Sequence, residues 1–230
     1  MDLTAAQKSI IERVINAFET GSANGDYANI SIFKDGPKDI RQITYGRSQT
    51  TEYGHLGELV AAYADADGQF SEQLRPYVGR IGQEPLTDDA DFKQLLIRAG
   101  REDPVMATTQ DDFFDSRYFK PAMAWADRNG FVLPLSALVI YDSFIHSGSI
   151  LSSIRNKFAE RPPANGGDEK AWTSAYVAAR NEWLRTNPRT ILHQTTYRTK
   201  CLQKEIDRGN WDLSQVPIVA NGVKVFAANR

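Results

Sequence analysis

Two carboxyl side chains in the first fifth of the chain could act together as an acid and a base. Glu19 lies at the end of a segment with helical periodicity, and Asp35 follows the strand-like run 27–34. A second strand-like run then brings a threonine, Thr44, back towards Asp35. Most glycosidases cleave their bond with such a pair of carboxyls, one donating a proton and the other accepting one. We therefore interpret this stretch as a glycosidase site with Glu19, Asp35 and Thr44 as its catalytic residues.

The predicted surroundings of Glu19 suit a proton donor. Apolar residues recur at helical spacing over 11–18, and Gly21 is a typical helix stop, so Glu19 lies at the negative end of a helix beside an apolar face. Both features favour the protonated form of a carboxyl. A solvated glutamate at a helix end would produce the same pattern, so this helix alone does not decide the role.

Asp35 precedes Gly36 in a predicted turn between two strand-like runs, which exposes its carboxylate to solvent. Aspartate before glycine is also an ordinary turn-forming pair. The turn alone therefore leaves a structural role and a catalytic role open.

The remaining elements predict a mainly helical fold with two small hairpins. Helical periodicity recurs along the chain, including a long helix over 110–129 bent at Pro121, and the most apolar run, 135–145, is predicted to be a buried central helix. The pair Asn221-Gly222 between two β-branched runs predicts a second hairpin with a type I′ turn. No linker interrupts the sequence, so we expect one domain over 1–230.

Asp142 lies inside the central apolar run, where a buried carboxylate needs a charged or hydrogen-bonding partner. Arg180 and Arg198, on later predicted helices, are candidate partners. We expect Asp142 and Arg180, together with Arg189, to form a buried ionic network that supports Glu19.

The composition excludes several classes of protein. The chain has 230 residues, a formal net charge of -2 and a pI of about 6.0, with no basic stripe, so we expect neither nucleic acid nor a membrane as partner. The three histidines lack the spacing of a metal site, and Cys201 is predicted to be a buried thiol, so we expect neither metal nor cofactor. No signal-peptide pattern occurs at the start, which leaves removal of a leader, leaderless export or a cytoplasmic start open.

Several motifs, in order, resemble the chitosanases of glycoside hydrolase family 46. Besides the stretch around Glu19 and Asp35, the motifs are Arg117-Tyr118-Phe119-Lys120-Pro121-Ala122, Tyr141-Asp142 followed by His146, and Gly166-Gly167-Asp168-Glu169 leading to Ala179-Arg180. The resemblance spans nearly the whole chain.

The resemblance implies a two-lobed lysozyme-like fold, mainly α with a small β-hairpin at an active-site cleft. It implies that Glu19 is the general acid, that Asp35 is the general base and that Thr44 positions the attacking water. The implied reaction is endo-hydrolysis of β-1,4 bonds in an amino-sugar polysaccharide with inversion, by a secreted monomeric enzyme. Substrate contacts are expected from a set of polar and aromatic residues: Tyr45, Gln49, Thr50, Glu52, His55 and His146.

Two departures from the family pattern leave alternatives open. The interval from Asp35 to Thr44 is four residues longer than in the compact Asp-Gly-Arg-Gly-Tyr-Thr of the family, so Asp39, at the shorter interval, is a rival base. His55 stands where the chitosanases carry an acid that binds the substrate amino group. Since 44–52 is also similar to the small lysozymes of phage type, peptidoglycan is an alternative substrate, and a non-catalytic carbohydrate-binding protein is a second alternative.

Overall fold

The computed structural model describes residues 1–47 and 49–227 and divides into two compact units, each with its own hydrophobic core. The first unit comprises Met1–Ala23 and Arg117–Arg230, and the second comprises Asn24–Ser116. The α-helices are α1 Ala5–Thr20, α2 Leu56–Asp65, α3 Ser71–Leu74, α4 Ala90–Glu102, α5 Pro104–Phe114, α6 Lys120–Arg128, α7 Pro134–Ser147, α8 Ser152–Arg155, α9 Glu169–Arg185 and α10 Thr196–Asp207. The strands are β1 Ile30–Phe33, β2 Gln42–Tyr45, β3 Thr50–Thr51, β4 Ile218–Ala220 and β5 Val223–Val225.

The first unit is built around α7, which confirms the predicted central helix. Every residue from Pro134 to Ser143 is buried, and α7 contacts α1, α6, α9 and α10. Helix α1 begins with a capping box, in which the Thr4 hydroxyl accepts a hydrogen bond from the Gln7 backbone. It ends at Gly21, whose φ of 69° is in the left-handed region that favours glycine. These local signals place Glu19 in the last turn of α1.

The helix predicted over 110–129 is present, but it contains a π-helical turn. Helix α5 ends at Phe114, a π-helical turn occupies Asp115–Phe119, and α6 then begins at Lys120. Pro121 lies directly after that turn, as the second residue of α6. The change in hydrogen-bond pattern therefore lies in the turn that precedes the proline.

The second unit contains a three-stranded antiparallel sheet in the order β1-β2-β3, together with helices α2 to α5. Ile32 pairs with Ile43, and Ser31 pairs with Thr44. Because side chains alternate along a strand, Ile43 and Tyr45 point into the core while Gln42 and Thr44 lie on the opposite face. The sequence predicted the hairpin of β1 and β2 but not the short strand β3.

The carboxyl-terminal hairpin of β4 and β5 is confirmed. Asn221 and Gly222 have φ values of 48° and 80°, as a type I′ turn requires. The single cysteine, Cys201, is buried in α10, and burial raises the pKa of its thiol to about 12. Within 1–47 and 49–227, no helix has the length and apolar character needed to cross a membrane.

Candidate active site

In the first unit, Glu19 is held by an arginine that the packing of α10 brings to the end of α1. Arg198 Nη2 donates to Glu19 Oε1 at 2.7 Å, although the two residues are 179 positions apart. The guanidinium also lies over the Phe18 ring, 5.0 Å from its centroid. A charge-assisted hydrogen bond of this length restricts the carboxyl to one orientation. Arg198 therefore fixes the orientation of Glu19.

Arg198 is itself anchored by Asp142, which confirms that the carboxylate in the central helix is paired. Arg198 Nε donates to Asp142 Oδ1 at 2.9 Å, and Arg180 Nη1 forms an ion pair with Asp142 Oδ2. We call Glu19, Arg198, Asp142 and Arg180 the buried ionic network. Burial alone would raise the pKa of Asp142, but Arg180 and then Arg198 outweigh it and hold this pKa well below its usual range. The network carries two positive and two negative formal charges.

Arg189 does not belong to this network, which corrects the prediction. Its side chain is exposed at the carboxyl-terminal side of α9, and the described residues include no ion pair between Arg189 and Asp142. The second arginine is Arg198 because α10 packs against both α7 and α9. The sequence indicated Arg198 only as a possible partner of Asp142 and carried no signal for its contact with Glu19.

His146 lies in the last turn of α7, beside the buried ionic network. Burial lowers the pKa of its imidazole to about 3, and the positive charges of Arg198 and Arg180 act in the same direction. The imidazole is therefore neutral at pH 7. Its Nδ1 atom is buried and has no hydrogen-bond partner among residues 1–47 and 49–227. The expected contact of His146 with substrate stays a prediction.

In the second unit, the loop from Asp35 to Arg41 accommodates the long interval before Thr44. A 3-10 turn spans Pro37–Asp39, and the backbone N–H of Gly36 donates to the Ile40 carbonyl at 3.1 Å, which closes the loop. A Cβ added to Gly36 would lie 2.9 Å from that carbonyl oxygen. Glycine is thus required here by close backbone approach, and the additional residues form a compact turn.

Asp35 is exposed, but its carboxylate accepts a hydrogen bond from a buried side-chain amide. Gln42 Nε2 donates to Asp35 Oδ1 at 2.9 Å. Gln42 is on β2, and only 5% of it is exposed. The sequence analysis did not identify Gln42, because a glutamine in a strand carries no signal until the strand register is known.

Thr44 follows two positions later on the same face of β2. Its hydroxyl is buried, and no group within the described part of the chain forms a hydrogen bond with Oγ1. A hydroxyl can donate one hydrogen bond and accept two, so this group has the capacity to hold a water molecule. The proposed role of Thr44 in positioning water remains a prediction.

The rival base, Asp39, has different surroundings. It is exposed in the 3-10 turn, and its φ of 60° places its backbone in the left-handed region. No hydrogen bond or ion pair to the Asp39 carboxylate occurs among the described residues. The loop before β2 therefore contains one anchored carboxylate, Asp35, and one unanchored carboxylate, Asp39.

Two of the expected substrate-binding residues have structural roles instead. Tyr45 is completely buried, and its hydroxyl donates to the Leu96 carbonyl at 2.8 Å. Glu52 is 1% exposed and accepts hydrogen bonds from the backbone N–H groups of Ile43 and Leu86 at 2.9 and 2.7 Å. Alternation along β2 directs Tyr45 away from the face of Thr44, and Glu52, which directly follows β3, is held in the interior of the second unit by its two hydrogen bonds.

The other expected contacts in the second unit remain predictions. Gln49 is partly exposed and donates to the Gly46 carbonyl at 3.0 Å. Thr50 is buried, and its Oγ1 has no hydrogen-bond partner among residues 1–47 and 49–227. His55 Nδ1 lies 3.1 Å from Glu58 Oε1, so a carboxylate stands beside the histidine that replaces the expected acid. The described residues contain no group of three or more His, Cys, Asp or Glu side chains arranged to hold a metal ion.

Comparison with known sequences identifies one protein family and a relative of matching activity. The sequence pattern of glycosyl hydrolase family 46 matches residues 13–218. A chitosanase of Bacillus subtilis (strain 168) is 29% identical over 195 residues, which cover 79% of this chain and 69% of the relative.

Two solved structures of chitosanases are similar to this chain over 99–100% of its length. A family 46 chitosanase of Gynuella sunshinyii, in complex with chitotetraose, superposes with a TM-score of 0.83 at 26% identity and full coverage of both chains. The native chitosanase of Bacillus subtilis MY002 has the same TM-score at 23% identity, covering 99% of this chain and 100% of that one. The likeness confirms the predicted mainly helical, lysozyme-like fold class and the resemblance on which it was based.

Proposed function

Because the chain belongs to glycosyl hydrolase family 46, and is accordingly a glycosidase, we propose that it is an endo-acting chitosanase that uses Glu19 as its general acid. The observation that carries the assignment of Glu19 is its contact with Arg198, which is anchored by the buried Asp142. A solvated glutamate at a helix end would not contact a buried arginine. Arg198 is held by Asp142, which also forms an ion pair with Arg180. Chitosan is the substrate class named for the relatives, and their similarity extends over most of this chain.

We propose a single-displacement reaction that inverts the anomeric carbon. Glu19 donates its proton to the glycosidic oxygen as the bond from that oxygen to the anomeric carbon breaks. Asp35 takes a proton from a water molecule, held by Thr44, whose oxygen forms the new bond to the same carbon. One water is consumed, Glu19 is left as a carboxylate and Asp35 as a carboxylic acid, and both return to their starting states by exchange with solvent. Inverting glycosidases keep their carboxyls about 6.5–9.5 Å apart to leave room for this water.

Further properties belong to the same proposal. We expect Gln49, Thr50, His55 and His146 to contact substrate, and we expect one catalytic domain that acts as a monomer without metal or organic cofactor. A polymeric substrate of this kind is met outside the cell, so we propose that the protein acts there. Light scattering of the purified protein tests the monomer: a mass near twice 25.7 kDa would refute it.

The decisive test is product release from soluble chitosan and from purified peptidoglycan, measured in parallel. Wild type should release products from chitosan, and Glu19→Gln should lower the rate by about 10²- to 10⁴-fold, since that is what an acid-base group contributes. Glu102→Gln is the matched control, because Glu102 also ends a helix and pairs with an arginine but is exposed. Near-wild-type turnover in Glu19→Gln would refute the assignment of the acid. Product release from peptidoglycan but not from chitosan would refute chitosan as the substrate.

A further inference from the structure

The contacts of Gln42 define its orientation completely. Its Nε2 atom donates to Asp35 Oδ1 at 2.9 Å, and its Oε1 atom accepts from the backbone N–H of Tyr53 at 3.3 Å. A backbone N–H can only donate, and a carboxylate can only accept. The oxygen of the amide must therefore face Tyr53 and its nitrogen must face Asp35, so the two contacts together exclude the flipped amide.

The position of Gln42 in the sheet links Asp35 to Thr44. Gln42 pairs with Phe33 on β1, and Thr44 follows it by two positions on β2, so all three side chains share one face. The hydrogen bond from Gln42 draws the Asp35 carboxylate onto this face. Within the described part of the chain, the second oxygen, Asp35 Oδ2, accepts no hydrogen bond and is available to take a proton.

Asp39, the other acid of the loop, has no hydrogen bond like that from Gln42 to Asp35 among the described residues. Asp39 is exposed, as Asp35 is, but no described residue donates a hydrogen bond to its carboxylate. A general base must be held within hydrogen-bond reach of the water that it activates. The contact with Gln42 is therefore a physical reason for the chain to use Asp35 instead of Asp39.

We propose that Gln42 is the positioning residue of the general base: it orients the Asp35 carboxylate towards the face of Thr44 and so selects Asp35 over Asp39. The inference rests on the proposed function, in which Asp35 is the base. Gln42 does not touch the reacting atoms in this proposal and acts only through Asp35. The closed loop of Gly36 and Ile40 brings Asp35 back to the strand, and the buried amide then determines where its oxygens point.

The experiment measures kcat and KM on a chitosan oligomer of defined length. Two single variants separate the two contacts of Gln42 when kinetics are measured at a pH at which both carboxyls are ionised: Gln42→Leu removes both, whereas Gln42→Glu keeps an acceptor for the Tyr53 N–H and removes the donor to Asp35. Both variants should lower kcat by about 10- to 100-fold, the effect of misplacing a catalytic group by about 1 Å, with KM nearly unchanged. The matched control is Gln203→Leu, because Gln203 donates to Asp207 Oδ1 at 2.8 Å on the exposed side of α10.

A double-mutant cycle distinguishes positioning from a general effect on folding. If Gln42 acts through Asp35, Asp35→Asn combined with Gln42→Leu should be as slow as Asp35→Asn alone. Multiplied losses in the double variant would overturn the proposal, as would wild-type kcat in Gln42→Glu. Thermal unfolding checks that each variant is folded. If Gln42→Leu does not fold, the kinetics of Gln42→Glu decide the test.

The failure of the inference is distinguishable from failure of the proposed function. Normal kcat in the Gln42 variants with an inactive Asp35→Asn would refute only the positioning role. Wild-type turnover in Asp35→Asn together with loss in Asp39→Asn would move the base to Asp39, and the selection of Asp35 by Gln42 would be refuted with it.

Discussion

Removal of the charge at Asp142 tests whether the buried ionic network stabilises the first unit. Asp142 is completely buried, and both of its carboxylate oxygens are in contact with guanidinium groups: Oδ1 with Arg198 and Oδ2 with Arg180. In Asp142→Asn the side chain keeps its shape but loses its charge, and its NH₂ group must face one of these N–H donors. Arg198 would then keep its contact with Glu19, whereas Arg180 would lose its ion pair and remain buried.

The expected cost follows from this geometry. Breaking a buried ion pair by removing one partner costs about 3–5 kcal/mol, because the remaining charge stays buried without compensation. For a protein of this size, 1 kcal/mol corresponds to a shift of about 2–4 °C in Tm, so we expect Tm to fall by about 6–20 °C. Differential scanning calorimetry or urea unfolding at pH 7 measures the change.

The matched control is Asp65→Asn, because Asp65 and Arg75 form an ion pair of 3.5 Å on the surface. An exposed pair contributes about 0–1 kcal/mol, so this variant should unfold close to wild type. A loss below about 1 kcal/mol in Asp142→Asn would refute the reasoning, since it would mean that water or relaxation compensates the two arginines.

The pH dependence supplies a second check on the same variant. The pKa of Asp142 is lower in the folded state than its ordinary value, so its contribution is present above an unfolded pKa of about 3.9 and is lost as the pH falls towards the folded value. The difference in stability between wild type and Asp142→Asn should therefore be the same at pH 7 and pH 5 and should shrink below about pH 4.

Two further changes test other parts of the structure. The pKa of His146 in the folded state is about 3, whereas an unfolded histidine binds a proton below about pH 6.5. Acidification between these values should therefore lower the free energy of unfolding by about 1.4 kcal/mol per pH unit. In His146→Gln, urea unfolding over pH 4–6 should show a weaker dependence of this free energy on pH, and the same dependence as in wild type would contradict a neutral imidazole. Gly36→Ala places a Cβ against the Ile40 carbonyl and should open the loop that returns Asp35 to Gln42, lowering kcat on chitosan by about 10-fold or more while the first unit stays folded. Gly79→Ala is the control for Gly36→Ala, because a Cβ there meets nothing within 4 Å, and equal kinetics of the two variants would show that the loop closure is not needed.

Local chemistry in the sequence determined most of the fold. The glycine stop at Gly21 and the Asn221-Gly222 turn each act within a few residues, and each is present as predicted. The apolar run around Asp142 likewise predicted the buried central helix. Such signals depend on backbone conformation and on burial of one continuous segment, both of which can be evaluated from neighbouring residues alone. The helix predicted over 110–129 is also present, but the sequence did not predict its π-helical turn at Asp115–Phe119.

Tertiary structure alone decided which side chains meet. Arg198 reaches Asp142 across 56 positions and Glu19 across 179, and no local pattern distinguishes it from the exposed Arg189. In the same way, the two faces of β2 separate the buried Tyr45 from Gln42, whose partner Asp35 is set by strand register and loop closure. A residue type specifies which contacts a side chain can make. Which of those contacts forms is determined by the packing of elements that are distant in the chain, because only packing removes the competing partner, water.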